Sequence, residues 1–258
     1  MNGSVLWKLS CRDGAVSYLM GTMHVKDNVA YTHIQKALHV LEFCSHYFGE
    51  IDLDEATQII RPEDYLLPDE LSLSDLVSPR HYERMQTIIS KTYNIQLPLL
   101  NRLYPLMIIN QLSELLLRED NTMALDHYLW MKAKEENKQM GGVEAVNRQI
   151  EILHSLDLDT QLKALKSLSR NVSKFNRSVL KLVDLYEKED IHKIYIMSKK
   201  QLGKLRDIML YERNEQMAVF IDQHKSINAF YAIGAAHLGG EKGVLTYLKR
   251  KGWTLKAL

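Results

Sequence analysis

The feature that most constrains this chain is a pattern that occurs once near each end. A short β-rich run leads into a G-x-x-H turn, a helical stretch follows, and a second β-rich run closes the unit. Near the start, residues 16–22 run into Gly21-Thr22-Met23-His24, a helical pattern covers about 32–43, and His46-Tyr47-Phe48-Gly49-Glu50-Ile51 reads as a strand. Near the end, residues 228–233 run into Gly234-Ala235-Ala236-His237. Gly239-Gly240 then opens a helix over about 241–251, Gly252 stops it, and 253–258 make a last strand. The parallel is not strong enough to establish an internal duplication.

Between these units the text changes character. Residues 79–130 and 143–220 place apolar side chains three and four apart, as in Leu112, Leu115, Leu116 and in Leu162, Leu165, Leu168, which is the period of amphipathic helices. One interruption, Asn137-Lys138-Gln139-Met140-Gly141-Gly142-Val143-Glu144, reads as a short buried strand that leaves into a helix. Pro62, Pro68 and Pro79 punctuate a loop-rich stretch before the helices. At the front, residues 4–10 and 16–22 flank Cys11-Arg12-Asp13-Gly14, and Asp-Gly between two such runs predicts a hairpin. The expected class is therefore α/β, with a central mixed, partly parallel sheet built from the N- and C-terminal segments and a large helical insertion capping it. With 258 residues the chain suits one large domain, 1–258. Its sheet halves lie at about 1–55 and 226–258, and its helical middle at about 60–225 with a short strand near 138–143.

Composition matters mainly for what it excludes. Lys and Arg number 33 against 32 Asp and Glu, so the clustered positive excess of a nucleic-acid or polybasic membrane surface is not expected. The two cysteines, Cys11 and Cys44, form no C-x-x-C pair and support neither a disulfide framework nor a zinc ribbon. The first nine residues show no basic leader or apolar core of a secretory signal, although a signal already removed would leave the same text. No apolar run approaches the roughly 20 residues that span a bilayer, and the longest, 97–117, is broken by Pro98, Asn101, Arg102 and Pro105. The expectation is a cytoplasmic chain.

The chemistry is sought in the turns. Glycine permits close backbone approach, and a histidine just beyond a strand sits at the carboxyl edge of the sheet, where open α/β sheets place their sites. Two such turns on neighbouring strands would bring His24 and His237 together. Glu50, ending the third strand, and Glu144, ending the fourth, would reach the same edge. Two histidines and a carboxylate form a standard set for a divalent transition metal that keeps a position open for water. Alone the pattern is weak: the chain has ten histidines, and a turn histidine is more often a surface residue or a cap. The two turns lie far apart in sequence, unlike the two histidines of H-E-x-x-H on one helix. His33, His39, His46, His81, His127, His154, His192 and His224 show no partner pattern and read as surface or core residues. Tyr18 and Tyr231 read as sheet packing.

Ordered motifs along nearly the whole chain sharpen this. They are Leu6-Trp7-Lys8, Tyr18-Leu19-Met20-Gly21-Thr22-Met23-His24-Val25, Gly49-Glu50-Ile51-Asp52-Leu53 and Leu103-Tyr104-Pro105. Gly142-Val143-Glu144-Ala145 with Gln149-Ile150, then Glu212-Arg213-Asn214-Glu215-Gln216-Met217-Ala218, and Gly234-Ala235-Ala236-His237-Leu238-Gly239-Gly240 follow in order. Together they resemble the TraB/GumN family, which includes Tiki-type peptidases and is distantly related to erythromycin-esterase-like and ChaN-like proteins. Met23, Ala235-Ala236 and Ala145 depart from commoner family residues but leave every glycine and histidine of the motifs in place.

The resemblance implies a metal-dependent hydrolase of peptide or small acyl substrates, with His24, His237 and Glu50 holding a divalent ion (Mn, Co or Zn). Glu50, Glu144 and Arg213 are the candidate catalytic groups. For Glu144 the bland alternative is capping the following helix at its positive end. For Arg213 the sharp role is oxyanion stabilisation and the bland one an exposed ion pair with Glu212 or Glu215. Asp52 is weighed between orienting His24 or the metal and a solvated strand end. The competing function is a non-catalytic haem or small-ligand binding protein of the ChaN-like type.

Overall fold

β5 (Ala229–Gly234) is buried at every residue but its final glycine, the pattern of a strand covered on both faces in the parallel part of a sheet. It lies at the centre of a six-stranded mixed sheet of order β4-β3-β5-β2-β1-β6. The other strands are β1 (Leu6–Ser10), β2 (Ser17–Thr22), β3 (His46–Ile51), β4 (Gln139–Glu144) and β6 (Thr254–Ala257). The structure is a computed structural model and describes residues 3–12 and 14–258. Asp13 of the expected turn and the first two residues of the leader reading lie outside the described residues.

β2, β5, β3 and β4 run parallel, whereas β1 is antiparallel to both β2 and β6. Registers bring the parallel strands to a common carboxyl edge: Thr22 lies opposite Gly234, Phe48 opposite Tyr231, and Ile51 opposite Glu144. The architecture read from the sequence is the one observed, with β4, supplied by the helical middle, added as the outer strand beside β3.

The helices are α1 (Ile34–Leu41), α2 (Leu53–Ile59), the single turn α3 (Leu73–Leu76), α4 (Pro79–Tyr93), α5 (Pro105–Glu114) and α6 (Leu125–Glu135). After β4 come α7 (Val146–Ser155), α8 (Leu158–Arg170), α9 (Val172–Glu187), α10 (Ile191–Leu202), α11 (Arg213–Gln223) and α12 (Val244–Arg250). Their starts are chemically marked. Asp157, Asn171 and Asp190 accept backbone N–H groups at the starts of α8, α9 and α10, satisfying donors that lack an intrahelical partner. Pro79 and Pro105 occupy the first positions of α4 and α5, where proline loses nothing. The expected helices proved shorter. α1 begins at Ile34 and α12 at Val244, and the run through residue 130 is interrupted between α5 and α6.

Two principal cores result. One surrounds the sheet and includes Leu19, Met20, Tyr47, Trp130, Phe230 and Tyr231. The second lies inside the cap, where Leu162, Leu165 and Leu168 of α8 meet Ile108 and Leu112 of α5 and Met85 and Ile89 of α4. Fully burying each such leucine contributes about 1.5–3 kcal/mol. The buried Gln161 ties α8 to the start of α5, its Oε1 accepting from the Leu106 N–H at 3.3 Å and its Nε2 donating to the Leu156 carbonyl. This fixes the face that α5 turns toward the sheet edge. No helix among the described residues is long and apolar enough to cross a membrane.

Candidate active site

The two G-x-x-H turns pack against each other. A Cβ on Gly21 would lie 2.6 Å from Leu238 Cδ1 and 3.0 Å from Ala235 Cα, so the first turn's glycine makes room for the second turn. Gly234 has an ordinary φ of −54° and is likewise required for space rather than conformation. Its missing Cβ would sit 3.2 Å from Glu50 Oε2, 3.4 Å from His237 Cδ2 and 3.9 Å from His237 Nε2. The absent methyl leaves a gap bordered by a carboxylate oxygen and an imidazole nitrogen.

The histidines differ in setting. His237, in a short 3-10 turn after β5, is buried. Its Nδ1 lies 2.5 Å from Oδ1 of the fully buried Asn214, whose Nδ2 donates to the Lys242 carbonyl. The amide nitrogen is thus already spent, so Asn214 presents its oxygen and His237 carries its proton on Nδ1, leaving Nε2 as acceptor. Burial, then the neighbouring Arg213 guanidinium, push the His237 pKa down to about 4 against the pull of Glu50. His24 is the opposite case. Its side chain is 70% exposed, and Nδ1 lies 2.7 Å from Asp126 Oδ2. That hydrogen bond, opposed by burial and helped by Asp126, Glu114 and Glu50, raises the His24 pKa to about 8.

Behind them lies a buried ionic cluster. Arg213 opens α11 directly after a π-helical segment, Asp207–Glu212. Its Nη2 donates to Glu50 Oε1 and Glu144 Oε2 at 2.5 Å each, and its Nε to Glu144 Oε1 and Oε2 at 2.9 and 3.1 Å. Gln149 on α7 donates to both carboxylates, and the Gly234 N–H donates to Glu50 Oε2 at 2.8 Å. Burial alone would raise the Glu50 pKa. The Arg213 charge, with His237 and the Gly234 N–H, outweighs it and holds the carboxyl at about 2.

These contacts correct several alternatives. Arg213 is not an exposed pair with Glu212 or Glu215. Glu144 does not cap α7, whose N-cap position is Ala145. Asp52 neither orients His24 nor stands free, because its side chain accepts the Glu55 N–H at the start of α2. Some of the other histidines do have partners, such as His154 Nε2 on the Asp64 carbonyl and His33 Nδ1 3.6 Å from Glu189.

A cavity of about 500 Å³ lies over this edge, lined by His24, Glu50, Arg213 and Gly234 on the sheet side. Asp126, Trp130, Gln149, Asn110 and Glu114 also line it. Among the described residues the Glu114 side chain has no hydrogen bond or ion pair, and no group of three or more histidine, cysteine or acidic residues is gathered as a ready-made metal cage. The donor chemistry nevertheless suits a divalent ion: a neutral imidazole with Nε2 free, an ionised carboxylate, and a second imidazole, held at Nδ1 by a carboxylate, that must give up a proton to bind. Asp126 and Asn214, which hold the two imidazoles at Nδ1, were not singled out by the sequence. Asn214 lay inside a quoted motif beside Arg213, whereas Asp126 had no local signal beyond being an acid in the first turn of α6.

The fold and this cluster define a class: mixed α/β proteins with histidines, carboxylates and an arginine at the carboxyl edge of a parallel sheet, beneath a helical cap. The TraB/PrgY/gumN family model matches residues 5–257, and the chain belongs to that family. Similar curated relatives include Metalloprotease TIKI1 of Danio rerio, 25% identical over 98% of this chain and 63% of the relative. Metalloprotease TIKI2 of Danio rerio is 23% identical, covering 98% and 60%, and the Metalloprotease TIKI homolog of Nematostella vectensis 21%, covering 98% and 66%. The chain thus spans a little under two thirds of the length of these relatives. No solved structure gives a significant match.

Proposed function

We propose that this chain is a divalent-metal-dependent hydrolase acting on peptide bonds. The observation that carries the reading is the pairing at Gly234. A buried imidazole kept neutral, with its Nε2 free, borders the same gap as an oxygen of an ionised glutamate. The names of the curated relatives support the metalloprotease class.

In this reading His237 Nε2, Glu50 Oε2 and His24 Nε2 would hold the ion, which is manganese, cobalt or zinc. When bound, such an ion acidifies a water molecule and polarises a carbonyl. Glu50 is read as a ligand, because Arg213 and the Gly234 N–H fix its ionised carboxylate with Oε2 beside the gap at Gly234. Arg213 fixes the Glu50 carboxylate from behind. Glu144 completes the guanidinium's hydrogen bonds, so both act by positioning. Asn214 and Asp126 hold the two imidazoles by Nδ1, which sets the tautomer that a ligand needs.

The test is hydrolysis of a quenched fluorescent peptide pool by chelator-treated protein, with Mn²⁺, Co²⁺ or Zn²⁺ restored one at a time. Activity should return with at least one ion, and Glu50→Gln should lose metal affinity and activity together. Hydrolysis indifferent to chelation, or wild-type metal content and turnover in Glu50→Gln, would overturn the proposal.

A further inference from the structure

The cavity over the sheet edge is chemically two-ended, and α5 defines its axis. Leu106, Met107, Asn110 and Glu114 all line it, spaced as one face of a helix. At a rise of about 1.5 Å per residue, Leu106 and Glu114 are separated by about 12 Å along that face. An extended peptide advances about 3.3 Å per residue, so the face matches three to four residues of bound chain. The Glu114 end is polar and holds His24 and Asp126, while the Leu106 end contains no ionisable carboxylate, lysine or arginine from α5.

The apolar end is built from four elements: the 3-10 turn Pro62–Tyr65, α5, α7 and the π-helical segment before α11. Leu106 and Met107 pack with Tyr65 and Leu153 in one cluster, and Leu106 packs with Ile152 and Met209 in another. Leu153 and Ile152 are buried, but Tyr65, Leu106, Met107 and Met209 are only partly covered, and all six face the cavity. A charged side chain entering here would give up its water and find no ion-pairing partner among these six, and the nearest charge, Arg213, whose Nη1 lies 3.5 Å from the Met209 carbonyl, is already paired with Glu50 and Glu144. Two methionines give the wall an adaptable shape that tolerates different apolar groups.

We infer that this end is a side-chain subsite and that the substrate is a peptide with a bulky apolar residue, such as leucine, methionine or phenylalanine, within one or two residues of the cleaved bond. The inference rests on the hydrolase reading for the position of that bond. The apolar wall itself does not depend on it.

The experiment is a mass-spectrometric cleavage profile of a blocked random peptide mixture with the metal-loaded protein. Bonds flanked by a bulky apolar residue should be cut at least about tenfold faster than those flanked by glycine or aspartate, the discrimination a hydrophobic pocket supplies. Met107→Lys lies outside the proposed metal-binding residues. It should keep the metal content, lose that preference by a similar factor and gain cleavage beside acidic residues. Equal rates across side chains, or a wild-type preference for charged ones, would overturn the inference.

If no peptide is cleaved, the hydrolase reading fails and a binding arm decides the subsite alone. Tryptophan fluorescence of a Trp7→Phe, Trp253→Phe protein, which leaves only the cavity-lining Trp130, is followed while blocked Ala-Leu-Ala and Ala-Asp-Ala are titrated. The leucine peptide should saturate at an at least about tenfold lower concentration. Equal saturation, or none, would overturn it.

Discussion

Replacing Arg213 by methionine keeps most of the side-chain volume and removes the one charge that holds Glu50 and Glu144 together. The guanidinium is about 10% exposed, Glu144 4% and Glu50 29%. Breaking a buried pair costs about 3–5 kcal/mol, because it strands an uncompensated charge. Here two carboxylates are stranded. Glu144 bears the full penalty, and Glu50, being partly wet, a screened share. The expected loss is therefore about 3 kcal/mol or more at pH 8 in the presence of EDTA.

The pH dependence identifies the cause. Without Arg213 the burial that raises the Glu50 carboxyl is no longer outweighed, so the folded variant takes up a proton there before the unfolded chain does. The penalty should shrink as pH falls toward about 5. His237 pushes the same way, since loss of the guanidinium raises its pKa and eases its protonation in the folded state. Urea titrations read by circular dichroism at pH 8 and 5.5 measure both numbers, with an unchanged m-value licensing the comparison. A loss below about 1 kcal/mol at pH 8, or one that grows on acidification, would refute the buried-cluster reasoning.

Three further expectations follow from the same contacts. Asn214→Ala removes the acceptor at His237 Nδ1 and should weaken metal binding about 10–100-fold by calorimetric titration, with unaltered affinity counting against the tautomer argument. His237 titrates near 4 when folded and near 6.5 when unfolded. The unfolded chain therefore binds the proton first, and metal-free stability should fall between pH 6.5 and 4 by an amount on the order of 3 kcal/mol that His237→Gln abolishes. Asp126→Asn should lower the His24 pKa from about 8 toward 6.5 in an NMR titration, and an unmoved value would mean that another group charges that imidazole.

The strands and both turns were legible because their signals are local. β2 and β5 announce themselves by β-rich runs that enter a G-x-x-H turn, and β4 by the Gly141-Gly142-Val143 run after a helix, although only its last two residues are buried rather than the whole strand. The cap's helices were readable from leucine spacing, but their ends depend on caps such as Asp157 and on proline positions, which periodicity alone does not locate. The ionic cluster was not legible. Glu50, Glu144 and Arg213 come from three distant segments, and beside Arg213 the sequence offers Glu212 and Glu215 as nearer partners. Only the parallel register that sets Ile51 beside Glu144, and the packing of α11 on β4, bring the guanidinium between the two carboxylates. Asp126 likewise meets His24 only because α6 packs on β3 and β4.

The central claim is that the two turn histidines, with Glu50, hold a catalytic divalent ion. Its most direct test is the metal content of wild-type, His24→Ala and His237→Ala proteins, measured by inductively coupled plasma mass spectrometry after equilibration with Mn²⁺, Co²⁺ or Zn²⁺ and exhaustive dialysis. One tightly held ion per wild-type chain is expected, and its loss from both variants, each still folded by circular dichroism. Full metal content in both folded variants, or no bound ion in the wild type under any of the three metals, would contradict it.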